Sequence, residues 1–314
     1  VQIILYLIMG IIIGMFFPIQ ASISARLSSY SKTPLTASLI AFSLGTVILL
    51  IINLIVDPAG ITIGIDFSYP LYVFVGGAIT GVGFNLANII LFSKLGASVT
   101  TLVTVTGQMI VGILIDHFGW FGVPANSISI TTALGVVIMI FAISLAQTKK
   151  KKDSAIMSKG KKKDSKITWI TLGILAGFLP PLQTAINGEL RVATGSLLGA
   201  TFISFFVGTI ILITLILITQ RHLEFPMYDT QKNRIPIWVY MGGIFGIFIL
   251  TGNIVLLPVL GSVLTTMIFL LGQMIMALTI DQFGMFNLQK RKIDSRRIAT
   301  LVLMVIGIVF VKFL

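Results

Sequence analysis

Cysteine is absent from the 314 residues and histidine occurs only at His117 and His222. Disulfide frameworks, thiolate zinc sites and histidine-rich metal or haem centres are therefore excluded or nearly so. Charge is scarce as well: 10% of the residues are charged against 56% hydrophobic, whereas a soluble domain carries about a quarter charged residues. Acidic side chains are the rarest class, 10 against 22 basic ones, for a net charge of +12. Gathered on a soluble surface, such an excess would suggest nucleic acid. Here the lysines and arginines fall between long apolar runs, so the balance reports membrane topology and no nucleic-acid partner is expected. No His-Glu-x-x-His or Gly-x-Ser-x-Gly sequence occurs, and no aspartates pair at membrane depth. The chain does not read as an enzyme, and no cofactor or metal is expected.

What is present is apolar length. A helix needs about 20 predominantly apolar residues to cross the hydrocarbon of a bilayer, and ten stretches qualify. In the first half they run approximately from Gln2 to Ser24, Leu35 to Val56, Leu71 to Phe92, Ala97 to Ile115 and Ile128 to Ala146. In the second they run approximately from Ile167 to Gly188, Leu197 to Thr219, Ile235 to Leu257, Ser262 to Ile280 and Ile298 to Phe313. The first stretch has no basic segment before it and no small-residue cleavage site after it, so it reads as a helix rather than a signal peptide.

Basic residues accumulate in cytoplasmic loops. With the lysine-rich segment 149–166 placed in the cytoplasm, alternation puts 20 of the 22 basic residues inside and leaves only Arg191 and Lys312 outside. Both termini are then expected outside a bacterial cell membrane. The domain reading is a first five-helix repeat at 1–148, a cytoplasmic linker at 149–166 and a second five-helix repeat at 167–314. The linker serves either as a solvated connector or as an attractor of anionic headgroups.

The halves repeat one another. Gly10-x-x-x-Gly14-x-x-x-Pro18-x-Gln20 recurs as Gly173-x-x-x-Gly177-x-x-x-Pro181-x-Gln183, and Phe42, Gly45 and Thr46 recur as Phe205, Gly208 and Thr209. Gly107-Gln108-Met109-Ile110 and Asp116-x-Phe118-Gly119-x-Phe121 recur as Gly272-Gln273-Met274-Ile275 and Asp281-x-Phe283-Gly284-x-Phe286. Matching glycines, glutamines and aspartates are much harder to obtain by chance than matching leucines. Five spans is an odd number, so the second copy enters the bilayer inverted. Inverted repeats are the architecture of many secondary transporters, because two near-equivalent halves can open a central site to either side.

These motifs resemble the YdcZ-type bacterial membrane family of the drug/metabolite transporter superfamily, here as two fused copies. The resemblance spans nearly the whole chain outside the linker. It implies an all-α, ten-helix fold with outside termini and a cavity lined mainly by the first, third, fourth, sixth, eighth and ninth helices. It implies no particular substrate.

Polar groups at membrane depth are the candidate site. Gln20, Gln183, Gln108, Gln273, Asn88 and Asn253 are six amides in three repeat-related pairs. They either contact a solute or hydrogen-bond between helices. Inverted symmetry puts Gln20 and Asn88 toward the cytoplasm and Gln183 and Asn253 toward the outside. Pro18 and Pro181 are candidate hinges. Each removes the donor for the carbonyl four residues earlier, on Gly14 and Gly177, which leaves that carbonyl open to a ligand or to packing. Gly10 with Gly14, Gly173 with Gly177, Gly77 with Gly81 and Gly242 with Gly246 form pairs that let helices approach closely. Ser24, Thr101 and Thr266 and the rings of Phe16, Phe17, Phe84 and Phe178 complete the expected lining. Asp116 and Asp281 are expected to anchor the turns that follow them, with proton sensing beside His117 as the other reading. Glu189 and Arg191 read as an interfacial charge pair.

No ionisable group lies in the central part of a span, so no proton coupling is implied. The partners expected are a small neutral, zwitterionic or cationic solute, by an alternating-access mechanism, and the lipid bilayer. The protein is expected to be a monomer or weak dimer, and the rival to a carrier is a passive channel or facilitator.

Overall fold

Lipid supplies no hydrogen bonds, so a chain this apolar must satisfy its own backbone, and helices do so within one segment. A computed structural model describes residues 2–31, 33–61, 65–95, 97–125, 129–147, 163–221, 226–228, 234–287 and 295–313. It is helical throughout apart from loops and one isolated bridge between Tyr228 and Arg234. The helices are α1 (Gln2–Ser31), α2 (Pro34–Val56), α3 (Leu71–Leu95), α4 (Ala97–Phe118), α5 (Ile130–Gln147), α6 (Lys163–Gly177), α7 (Leu179–Thr194), α8 (Leu197–Thr219), α9 (Gly242–Phe283) and α10 (Ser295–Phe313). Residues 148–162, most of the expected linker, lie outside the described residues.

Among the described residues, six helical stretches are long and apolar enough to cross a membrane: Gln2–Ser31, Pro34–Val56, Leu71–Leu91, Ile167–Thr194, Leu197–Thr219 and Ile237–Ile280. Shorter apolar helices cover Val103–Phe118, Ile130–Ala142 and Ile298–Phe310. Large apolar side chains such as Ile55, Ile130, Val137 and Ile218 stand more than half exposed on the outer faces. That surface suits hydrocarbon and would be untenable in water.

Two elements depart from the expected spans. The eighth and ninth are one continuous element, α9, of 42 residues. A straight helix of that length would measure about 63 Å, roughly twice the hydrocarbon thickness. It is not straight: Gly261 adopts φ 75°, ψ 172°, a conformation essentially confined to glycine. The sixth expected span keeps a helical backbone at Phe178 (φ −69°, ψ −26°), but its hydrogen-bond ladder is interrupted there, between α6 and α7. Pro180 and Pro181 lie in the first turn of α7, where a missing N–H costs no hydrogen bond that helix would otherwise make. Pro18, by contrast, sits inside the unbroken α1.

Repeat-related residues start helices alike. Thr33 caps α2 by accepting from Thr36 N at 3.3 Å, and Ser196 caps α8 by accepting from Gly199 N at 2.8 Å. The turns after α4 and α9 also match, with left-handed backbone at Gly119 and Phe121 in one and at Gly284 and Phe286 in the other.

Contacts between the halves recur in the same way. On α1, a Cβ at Gly14 would overlap the Phe269 carbonyl of α9, and one at Gly272 would overlap the Ile11 carbonyl of α1. On α6, a Cβ at Gly177 would overlap the Thr104 carbonyl of α4, and one at Gly107 would overlap the Ile174 carbonyl. Two helix crossings are thus built from repeat-related glycines at backbone contact, which is how helices associate in lipid. Between α2 and α8 the counterparts meet each other directly. The Phe42 and Phe205 rings lie 5.2 Å apart, each against the glycine three residues after the other, and the Thr46 and Thr209 hydroxyls are 2.9 Å apart. Between α5 and α10, Thr300 donates to the Ala142 carbonyl at 3.0 Å, and Gly307 lies against the Gly135 carbonyl.

Candidate functional site

A cavity of about 110 Å³ lies among α1, α2, α3, α4, α7, α8 and α9. A single water needs only about 10–15 Å³ by this kind of measure, so the space suits a compact solute. All six amides predicted from sequence line it: Gln20 from α1, Asn88 from α3, Gln108 from α4, Gln183 from α7, and Asn253 and Gln273 from α9. These positions are scattered along the sequence from 20 to 273, and only the helix crossings bring them together.

Their pairing bears on the two roles left open. Asn253 donates to the Ile249 carbonyl of its own helix at 2.9 Å. Gln20, Asn88, Gln108, Gln183 and Gln273 make no hydrogen bond to another described group, so interhelical bonding among the described residues does not explain them. An amide carries two donors and two acceptor lone pairs, and here most of that capacity faces the cavity.

Other lining groups divide by whether the sequence pointed to them. Ser24, Thr266, Phe17 and Phe84 line the cavity as expected. Phe16 does not: it packs on Phe245 and Phe248 at 5.6 and 5.5 Å. Phe178 packs against the cluster around Val111, Ile115 and Leu257. The side chain of Thr101 lies outside the described residues. Added to the wall are Phe42 and Phe205, which the repeat had marked without assigning a role, and Asn85, Thr184, Ser204 and Phe269. Asn85 accepts from Ser38 Oγ at 3.1 Å. It escaped notice because its counterpart is Leu250, so a search for paired amides passes over it.

Gly14 and Gly177 do not line the cavity. They are the contact points of the α1–α9 and α4–α6 crossings, where glycine is required because the neighbour is backbone. Pro181 is buried at the start of α7, and the adjacent Pro180 lines the cavity at the position that Phe17 occupies from α1.

No charged side chain lines the cavity among the described residues. The charged groups nearest in sequence are used elsewhere. Asp116 does not anchor its own turn. Its two carboxylate oxygens accept from the backbone of Ser262 at 2.7 Å and Val263 at 2.8 Å. The reason is the break at Gly261, which leaves orphan N–H groups at the start of the helix that follows, a site that favours a carboxylate. The Asp281 side chain lies outside the described residues. Glu189 is not paired with Arg191; both its oxygens accept from the Tyr72 hydroxyl, at 3.1 and 2.9 Å.

Comparison with known proteins bears on the fold and the family. A solved structure described as "Crystal structure of protein" superposes with a TM-score of 0.68 at 12% identity, covering 98% of this chain and 95% of that one, a likeness of fold. No curated protein matches. The model of the family described as "Putative inner membrane exporter, YdcZ" matches twice, at residues 5–145 and 168–310. With both copies accounted for, the chain belongs to the YdcZ family and is a multi-pass membrane protein of a transporter family.

Proposed function

We propose that the protein is an alternating-access carrier that moves a small neutral, zwitterionic or cationic organic solute across the bacterial cell membrane. The observation that carries this reading is the convergence of six amides from both halves on one uncharged cavity, five of them unpaired among the described residues. Unpaired amides at membrane depth are costly unless a ligand or water takes them up. The rings of Phe17, Phe42, Phe84, Phe205 and Phe269 offer apolar faces to the body of such a solute and cation–π attraction to a positive one.

The path is formed by ten crossings in two five-helix halves of opposite orientation. Helices α1–α5 make the first half. The second consists of α6 with α7, α8, α9 before Gly261, α9 after it, and α10. The matched crossings at Gly14 and Gly177, and the self-contacts of Phe42 with Phe205 and Thr46 with Thr209, are what a two-fold axis between the halves would produce. In this topology both termini are outside and the linker at 149–166 is cytoplasmic. The unit is a monomer or weak dimer in the bilayer.

A thermal-shift screen of metabolites and organic cations identifies the ligand, and counterflow in proteoliposomes then tests the carrier. Saturable counterflow is expected; flux without it would mean a channel. Gln108→Leu and Gln273→Leu should each lower transport at least tenfold while leaving membrane insertion intact. Unchanged transport by both would reduce the two amides to packing groups. Single cysteines read orientation without background: one at Leu314 should react with an impermeant reagent on intact cells, and one at Lys159 should not.

A further inference from the structure

Gln20, Ala21 and Ser24 follow one another along one face of α1, two of them polar, and all three line the cavity. Their repeat counterparts on α7 are Gln183, Thr184 and Asn187, and the cavity includes only the first two. Asn187 lies one helical turn beyond Gln183 and Thr184, on the same face. It is fully buried, and neither Oδ1 nor Nδ2 has a hydrogen-bond partner. An amide left so is among the most costly groups to bury.

The cover over Asn187 is α3. A Cβ on Gly77 would overlap the Asn187 amide, and one on Gly81 would overlap Gln183. The counterpart contacts are looser. A Cβ on Gly242 would stand 3.3 Å from Ser24 Oγ, and one on Gly246 would stand 3.1 Å from Gln20 Nε2. Asn187 is longer than Ser24, but Gln20 and Gln183 are the same residue type in the same repeat position, so size does not account for the second difference. The amides of α7 lie tighter against the α3 glycines than the polar groups of α1 lie against those of α9. The cavity consequently reaches Ser24 at one end and stops short of Asn187 at the other.

We propose that Asn187 is a solute-contact residue of the outer path, a third polar rung beyond Gln183 and Thr184 that the α3–α7 contact seals in this conformation. Its amide gains partners when α7 moves off Gly77 and water or a polar solute with hydrogen-bonding groups enters. The assignment of Asn187 to the outer side rests on the carrier topology proposed above. Only glycine at position 77 permits the seal, because any side chain there would occupy the space of the amide.

The test uses the full chain, which has no native cysteine. In Asn187→Cys combined with Ser24→Cys and Gly242→Cys, oxidation joins positions 24 and 242, which face each other at a spacing compatible with a disulfide. That bond fixes the bundle in the conformation described, with position 187 sealed against Gly77, and leaves the cysteine at 187 unbonded. An impermeant maleimide applied to right-side-out vesicles should then label it at least fivefold more slowly than in the reduced protein, which can leave this conformation. No labelling in either state, with Thr184→Cys labelled under the same conditions, would overturn the proposal and leave the carrier reading standing. Equal labelling before and after oxidation would keep Asn187 on the path and overturn alternating access instead. A second variant guards against misfolding. Asn187→Leu removes an unpaired buried amide, so its Tm should rise by about 2–4 °C while outside labelling of Thr184→Cys in the same chain falls. A fall in Tm would mean that Asn187 is a structural hydrogen-bonding residue, contrary to the proposal.

Discussion

The first helix of each half carries the same glycines, proline and glutamine at the same spacing, yet α1 runs unbroken from Gln2 to Ser31 while its counterpart is divided at Phe178. One residue makes the difference. Where the first half has Phe17 before Pro18, the second has Pro180 before Pro181. A single proline removes one backbone donor, and the helix continues past it. Two in succession remove the donors for two neighbouring carbonyls, those of Ala176 and Gly177, and the helix restarts. The shared glycines fix where each helix crosses its partner; the unshared proline fixes whether the backbone hydrogen-bond ladder runs through that crossing. Equivalent packing therefore does not imply an equivalent hydrogen-bond ladder, and the helix with the interrupted ladder is the one whose far end, at Asn187, is sealed.

The severest way to break this equivalence is at the crossings. Gly14→Val and Gly177→Val should each cost more than about 3 kcal/mol, because the neighbouring atoms are backbone and cannot yield. Loss of the monodisperse peak in size-exclusion chromatography reads this. If one variant folds and the other does not, the two crossings are not equivalent. Gly10→Ala is the control, since it meets the movable Ile268 side chain, and should cost about 1–2 kcal/mol.

Pro180→Phe makes the second half resemble the first. The helix should close across Phe178, stabilising the junction by about 1–3 kcal/mol. The distance distribution between spin labels at the lipid-exposed Leu172 and Val192 should narrow. An unchanged distribution would mean that the division has a cause other than the second proline.

A smaller effect is expected at the Gly261 break. Asp116→Ala removes both acceptors from the Ser262 and Val263 N–H groups and should cost about 1–2 kcal/mol in thermal unfolding, with Asp116→Asn retaining part of it. Smallest of all is the contact between counterparts at Thr46 and Thr209. A double-mutant cycle with valine at both should give a coupling of about 0.6 kcal/mol. A value indistinguishable from zero would show that the rings of Phe42 and Phe205, not the hydroxyls, hold α2 against α8.

Legibility from sequence followed symmetry. The six amides could be named because each had a counterpart and because amides are rare in spans; Asn85, facing Leu250 in the repeat, had the same chemistry and no such flag. Gly14 and Gly177 were noticed for the right reason, close approach, and also credited with exposing a carbonyl to solute. Only the position of the facing backbone at Phe269 and Thr104 assigns them to the crossings. Asp116 was placed at a helix end correctly, but its partner is 146 residues away, and no local rule about turns could supply it.

By itself, then, the sequence determined that the chain lives in lipid, that its regular structure is helical and that it was built by duplication. Each of these follows from composition or local spacing, because lipid removes every alternative to internally bonded backbone. The tertiary structure alone decided which polar groups share a cavity, which are spent on capping and which are left sealed without partners. Those outcomes depend on how closely one helix's side chains are pressed on another's glycines, tighter at Gly77 and Gly81 than at Gly242 and Gly246, and that is set by the packing of the whole bundle.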